Sequence, residues 1–325
     1  RRVLFRSSFG RSRPFGERSA QEERQVLGDN YRSYFFREAP FNRAALERRC
    51  YLIVGRRGSG KSSLIEYFSF QNTLPTSELI SISKPNLYSA VLEDMDRKLD
   101  YPPEIAIPFL VDVWKVILRS LVFDRYRDED PALASAVLLP EEEPTSSEFV
   151  YELLTHVAEK FLTGGGEFLR KIRSHMKSTG FQEAQEKALA IMSKRPVIIA
   201  VDSMEHYSVS HRGLMSGAAA LVQAAADLNN RYSIAGLHVK VFVAGEVFPY
   251  LVEEFLLNPA KHVRDELWLH WRPRDLVRLV CYRLQLYISL IRSRKVQVED
   301  VEDWNDFDEV EKKVQLVLAT GIAWL

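Results

Sequence analysis

Residues 51–63, Y-L-I-V-G-R-R-G-S-G-K-S-S, constrain this chain more than any other stretch. An apolar run at Leu52, Ile53 and Val54 enters it, and helical spacing at Leu64, Ile65 and Phe68 leaves it. The segment therefore reads as a buried strand, a glycine-rich turn and the opening of a helix. Gly55, Gly60, Lys61 and Ser62 match G-x-x-x-x-G-K-[ST], and Gly58 gives the turn further freedom. Glycines let backbone N–H groups turn inward around a phosphate chain because no Cβ blocks the approach. The first turn of the following helix adds unpaired N–H donors and the positive end of its dipole. Expected contacts run through Gly55, Arg57, Gly58, Ser59, Gly60, Lys61, Ser62 and Ser63. Lys61 would reach the β- and γ-phosphates, and the Ser62 hydroxyl would ligate Mg²⁺.

The chain of 325 residues has room for about two domains. With 46% hydrophobic and 27% charged residues it has the make-up of a globular protein with a sizeable core. The formal net charge is zero, so any nucleic-acid contact must come from a local patch. Cys50 and Cys281 are far apart and make no metal-ligand spacing; they read as buried free thiols, which suits a reducing cytoplasm. No apolar run reaches the length of a bilayer span, so no membrane contact is expected. No secretory signal is visible, and the missing initiator Met together with the apolar end at 319–325 reads as a fragment whose chain continues.

Residues 1–28 read as a basic flexible arm, with seven arginines between Arg1 and Arg24 and Phe5, Phe9 and Phe15 between them. Two readings stand: single-stranded nucleic acid held by charge and stacking, or docking on the chain's own core or on a neighbouring subunit. The second is the simpler, since charge runs are usually solvated. Residues 29–271 form the expected core. One or two helices carry Tyr31, Tyr34, Phe35, Phe36 and Phe41, a cluster that reads as core or as a pocket wall near the adenine before it reads as a separate site, and a second strand is expected over 78–83.

A helical insertion is expected over about 104–194. Pro108 opens a helix with Phe109, Val113, Ile117 and Leu121 on one face. A second helix carries Phe149, Leu153, Val157 and Phe161, and a third fills roughly 180–194. Buried strands follow at 197–201 and 239–244, then a helix over 213–228 between them and a fifth strand over 267–271. Residues 272–325 read as a helical lid. Strands alternating with helices predict a three-layer α/β fold with a mainly parallel five-stranded sheet.

A phosphate cradle binds, but hydrolysis needs more. The 197–201 strand ends in Asp202, as expected of a buried parallel strand that delivers a carboxylate to the Mg²⁺ shell. Ser203 follows it and cannot act as a base, which leaves Glu205 to orient or deprotonate water. Gly245 and Glu246 end the next strand, where Glu246 would sense the γ-phosphate, orient water or sit in a structural turn. Arg264, just before the fifth strand, would reach a neighbouring subunit's γ-phosphate or stand as a plain surface arginine. Arg272, Arg274 and Arg278 open the C-terminal helical part.

Phosphate loop, long spacing, the strand ending Asp202-x-x-Glu205, another apolar strand and the W-R-P-R-D-L run from Trp271 resemble the AAA+/STAND branch of P-loop ATPases. The pattern is similar in particular to bacterial ATPases of antiphage and other conflict systems, over about residues 29–290. The resemblance implies strand order 5-1-4-3-2, a helical lid, ATP and Mg²⁺ as ligands, and nucleotide-dependent assembly into a homo-oligomer or with an effector protein. It gives Lys61 and Ser62 the loop roles, Asp202 the metal role and Glu205 the role of base. The expected function is an ATP-hydrolysing motor or switch. The alternatives are a nucleotide-binding assembly switch with little turnover, or a phosphotransferase. No Asn-Lys-x-Asp motif favours guanine. The faint signature-like run Leu214–Gly217 falls after the Asp202 strand, which disfavours an ABC-type ATPase.

Overall fold

Apolar strands with both faces buried dictate the centre of this molecule. The computed structural model describes residues 19–28, 31–71, 78–82, 92, 94, 95, 97, 103–137, 152–157, 167–202, 212–256, 258–263 and 266–292. The chain divides into two compact units. The larger comprises Ala44–Lys61 and Gln71–Leu269; the smaller comprises Arg1–Arg43, Ser62–Phe70 and His270–Leu325.

The larger unit is α/β. Its sheet is all-parallel, with four full strands: β1 (Leu52–Gly55), β2 (Glu78–Ile82), β3 (Val197–Val201) and β4 (Leu237–Ala244). A two-residue stub, β5 (Leu267–Trp268), pairs with Ile53 and Val54 on the outer side of β1. The pairing order is β2-β3-β4-β1-β5. The relative order of the full strands, 1-4-3-2, agrees with the expectation, but their number does not. The expected fifth strand over 267–271 pairs only to Leu269, whose N–H still donates to the Val54 carbonyl at 2.8 Å. Pro273 then opens a helix as its first residue, which ends the extended path shortly after Leu269.

Every residue of β1, β3 and β4 is buried, as is usual for strands of an all-parallel sheet. Leu52, Val54, Val197, Ile199, Val201, Leu237, Val239, Val241 and Val243 share one hydrophobic core with the helices Pro103–Arg125, Thr179–Met192 and Arg212–Tyr232. The 212–232 helix, rich in alanine, packs closely on the 103–125 helix. Trp114 Nε1 donates to the Gly217 carbonyl at 3.0 Å, which satisfies the indole inside that contact. Asn229 ties the helix to β4, donating to the Val239 carbonyl at 2.9 Å and accepting from the Val239 N–H at 3.2 Å.

The other sheet face carries Ile53, Ile198, Ala200 and Phe242, but also His238 and Lys240, all at most 3% exposed. Lys240 Nζ donates to the carbonyls of Glu47, at 2.7 Å, and Cys50, which fastens the turn before β1 to β4. Burial pushes the Lys240 ammonium down to about 8, with Cys50 and Glu47 opposing.

Two helical readings need correction, and a third agrees as far as it is described. The insertion's first helix starts at Pro103, not Pro108. Pro103 suits a first helical position, and Pro108 within the helix costs one backbone bond without stopping it. An additional helix, Phe168–Met176, precedes Thr179–Met192. Of the predicted 149–161 helix, residues 152–157 are helical with Leu153 and Val157 fully buried; Phe149 and Phe161 lie outside the described residues.

The smaller unit is helical. Leu27, Tyr31, Phe35 and Phe70 form its core, with Tyr34 and Tyr67 against them. Residues 20–27, expected as part of a flexible arm, form a helix capped by Ser19 Oγ, which accepts from the Glu22 N–H. Glu23 holds it to the helix Pro273–Arg292 through a two-pronged ion pair with Arg283, one prong at 2.9 Å. Residues 1–18, with most of the arginines, lie outside the described residues. Both cysteines are buried and free, and among the described residues no helix is long and apolar enough to cross a membrane.

Candidate functional site

The candidate loop begins where β1 ends. Gly55 lies opposite Ala244 of β4, and its carbonyl oxygen accepts from the Gly245 N–H at 3.1 Å. The same oxygen accepts from Lys61 Nζ at 2.8 Å, and Lys61 also donates to the Arg56 carbonyl at 3.1 Å. Lys61 is only 4% exposed, so its ammonium lies inside the bend of the loop.

Local sequence forces that bend. Ser59 N–H donates back to the Arg56 carbonyl at 3.1 Å, closing a tight turn. Gly58 at φ 80° and Gly60 at φ 100° take left-handed conformations that a side chain disfavours. At Gly55 the constraint is space: a Cβ there would stand 2.3 Å from Ser59 Oγ and 3.1 Å from Leu269 Cβ. Arg57 and Gly58 are exposed, while Ser59 and Gly60 are half-buried. Ser62 and Ser63, both half-buried, are the second and third residues of the helix Lys61–Phe68.

Asp202 directly follows β3 and is 5% exposed. Because all strands run the same way, the ends of β1, β3 and β4 share one edge of the sheet. The loop through Lys61, Asp202 and the Gly245–Glu246 turn are thereby brought to that edge. β3 pairs as far as Val201 opposite Val241, whereas β1 reaches Gly55 opposite Ala244. Asp202 is thus set back along the sheet from the loop, and one strand lies between β3 and β1, a separation of roughly 10 Å. Glu246 is exposed in a turn closed by Val247 N–H on the Ala244 carbonyl at 3.1 Å. Glu205 and Arg264 lie outside the described residues.

Arg272, Arg274 and Arg278 belong to the smaller unit. Asp275 accepts from the Arg272 N–H at 3.4 Å, and Arg278 stands 3.6 Å from the Asp275 carboxylate, so part of this cluster organises the start of its own helix.

Sequence reasoning did not single out Trp268. The end of β5 leaves this indole 47% exposed, edge-on to Phe248 at 5.4 Å. A Cβ on Gly245 would meet the Arg56 side chain at 3.5 Å and the Trp268 ring at 3.6 Å, so the three residues adjoin at the loop's flank. Strand pairing put it there, and no local motif marks it.

The donor set can be tested against a nucleotide and its metal. Two left-handed glycines and a buried lysine suit a phosphate chain. Ser62 and Asp202 offer oxygen donors of the kind a hard Mg²⁺ ion takes, and such ions are commonly held by one or two protein oxygens plus substrate phosphates. Among the described residues no group of three or more His, Cys, Asp or Glu side chains gathers to hold a metal by itself. An oxygen from Ser62 or from Asp202 suits a metal that arrives with phosphate oxygens. No family model matches the chain, and no curated protein or solved structure was found to match it.

Proposed function

We propose that this chain is a P-loop ATPase of the AAA+/STAND kind that binds ATP with Mg²⁺ at residues 55–63 and hydrolyses it to drive a switch or motor. The observation that carries this reading is the corner between β1 and the 61–68 helix: Lys61 is buried and turned onto the carbonyls of Gly55 and Arg56, under a loop bent by Gly58 and Gly60. The all-parallel sheet, with β4 between β1 and the strand ending at Asp202, supports it.

In this reading the loop N–H groups and Lys61 would hold the β- and γ-phosphates, and Ser62 and Asp202 would each supply an oxygen to the metal. Mg²⁺ supplies charge neutralisation at the phosphate oxygens when bound. Glu205 orients and deprotonates water, and Arg264 serves a neighbouring subunit in a homo-oligomer. The residues from Pro273 onward act as the lid. A role in bacterial conflict or antiphage defence, a cytoplasmic setting and an effector partner belong to the same proposal.

A slow-turnover assembly switch is the second reading. It is favoured by Glu246, an exposed carboxylate next to Gly245, whose N–H is bonded to the loop's first residue. A negative charge there would oppose a γ-phosphate instead of steadying it. Phosphate release by the wild-type chain and by Glu205→Gln separates the two readings. An ATPase loses release in the variant and retains bound ATP; a switch shows little release in either.

A further inference from the structure

The smaller unit holds a second concavity with its own chemistry. A cavity of about 460 Å³ is lined by Arg24, Gly28, Tyr31, Arg32, Ser69 and Phe70. That volume lies within the range of small-molecule sites. Tyr31 and Phe70 are 4% and 8% exposed and form its apolar side. Arg24 and Arg32, both exposed, are its cationic lining residues.

The informative atom is the Tyr31 hydroxyl. It is buried and has no hydrogen-bond partner among the described residues, a costly arrangement unless something else satisfies it. Burial, followed by the Glu23 and Glu66 carboxylates, pushes the phenol well above its ordinary range, so it stays protonated and offers an O–H donor. The nearby charges are accounted for on both sides. Glu23 is engaged by Arg283, and Glu66 by Arg24 at 2.6 Å, which anchors that guanidinium by one nitrogen. Arg32 adds a further positive charge. A buried neutral donor, two guanidinium groups and aromatic walls select a ligand that is negative at one end and flat and apolar at the other.

We propose that this cavity binds a small ring-bearing organic anion, its carboxylate or phosphate taking the Tyr31 hydroxyl and the arginines while its ring lies along Tyr31 and Phe70. The site is separate from the phosphate loop and does not depend on the ATPase reading. The two anion chemistries are told apart with two probes, benzoate and phenyl phosphate. Each is titrated by calorimetry into the 325-residue chain carrying Lys61→Ala, so that the phosphate loop does not bind the second probe. The expected result is saturable binding, one probe per chain, of at least one of the two. Tyr31→Phe and Arg32→Gln, each added to that chain, should weaken it about tenfold, the scale of one hydrogen bond to a charged group. Tyr31→Phe keeps the ring and removes only the unpaired hydroxyl, so its melting temperature should be unchanged or higher, which separates a lost contact from a lost fold. Absence of binding by both probes at millimolar concentration would overturn the proposal. Binding that neither Tyr31→Phe nor Arg32→Gln weakens would overturn it equally.

Discussion

Lys61 Nζ donates to the Gly55 carbonyl oxygen at 2.8 Å, so the cation that ends the loop motif is bonded to the residue that begins it. That oxygen also accepts from the Gly245 N–H, which links the loop to the end of β4. One backbone atom thus joins β1, the loop lysine and the neighbouring strand. The larger unit positions a cation at a fixed point of the sheet edge, with Asp202 one strand beyond. A buried lysine loses rotamer freedom and hydration on folding, costs that are offset where its charge has a use.

Asp202→Asn keeps the shape of the side chain and removes its charge. If the carboxylate serves the metal, ATP binding in the presence of Mg²⁺ should persist within about tenfold while phosphate release falls by about a hundredfold or more. Single-turnover phosphate release measured across a Mg²⁺ titration checks this. Full turnover in the variant would remove Asp202 from the metal role.

Gly236 tests the packing that aligns β3 with β4. It stands at φ 98°, its carbonyl accepts from the Val197 N–H at 2.8 Å, and an added Cβ would meet the Met192 carbonyl oxygen at 2.2 Å. Backbone strain and a backbone clash coincide there, so Gly236→Ala should cost about 3 kcal/mol or more of stability. Urea denaturation of the two chains measures it, with a lower midpoint expected for the variant.

His238 makes stability depend on acid. Burial first, then the Lys240 and Arg48 charges, hold its imidazole down to about 4 against an ordinary 6.5. Above pH 6.5 neither the folded nor the unfolded chain protonates it, and its effect is absent. Between 6.5 and about 4 the unfolded chain takes up a proton that the fold refuses, so stability falls with pH and then levels off. The shift corresponds to about 3 kcal/mol at its limit. In His238→Leu this part of the acid limb should flatten, as read from chemical denaturation between pH 4 and 7. An identical limb in the variant would place the effect elsewhere.

Much of the larger unit was legible because its code is local. Leu52–Val54, Val197–Val201 and Val239–Ala244 are apolar runs of strand length between turn signals, and a strand buried on both faces leaves few other choices. The loop was equally legible, since φ > 0 at Gly58 and Gly60 is a property of glycine itself. Other features depend on partners distant in sequence. His238 and Lys240 sit in a strand whose neighbours bury them, and nothing near them in sequence signals the Glu47 and Cys50 carbonyls that receive the ammonium. The pairing of Glu23 with Arg283 spans 260 residues and docks a segment that composition alone marks as a solvated arm. The shortening of β5 follows from its place at the sheet edge and from Pro273. The turn of Lys61 back onto Gly55 likewise has no sequence signature, because the motif fixes the residue types and not the path of the side chain.

The nucleotide assignment stands or falls on Lys61. The most direct measurement is the affinity for ATP with Mg²⁺, by titration of a fluorescent ATP analogue and competition with ATP, in the wild-type and Lys61→Ala chains. Loss of two charge-assisted contacts to phosphate predicts affinity weakened by about a hundredfold, with the circular dichroism spectrum of the fold retained. Equal affinity in the two folded chains would contradict a phosphate site at residues 55–63.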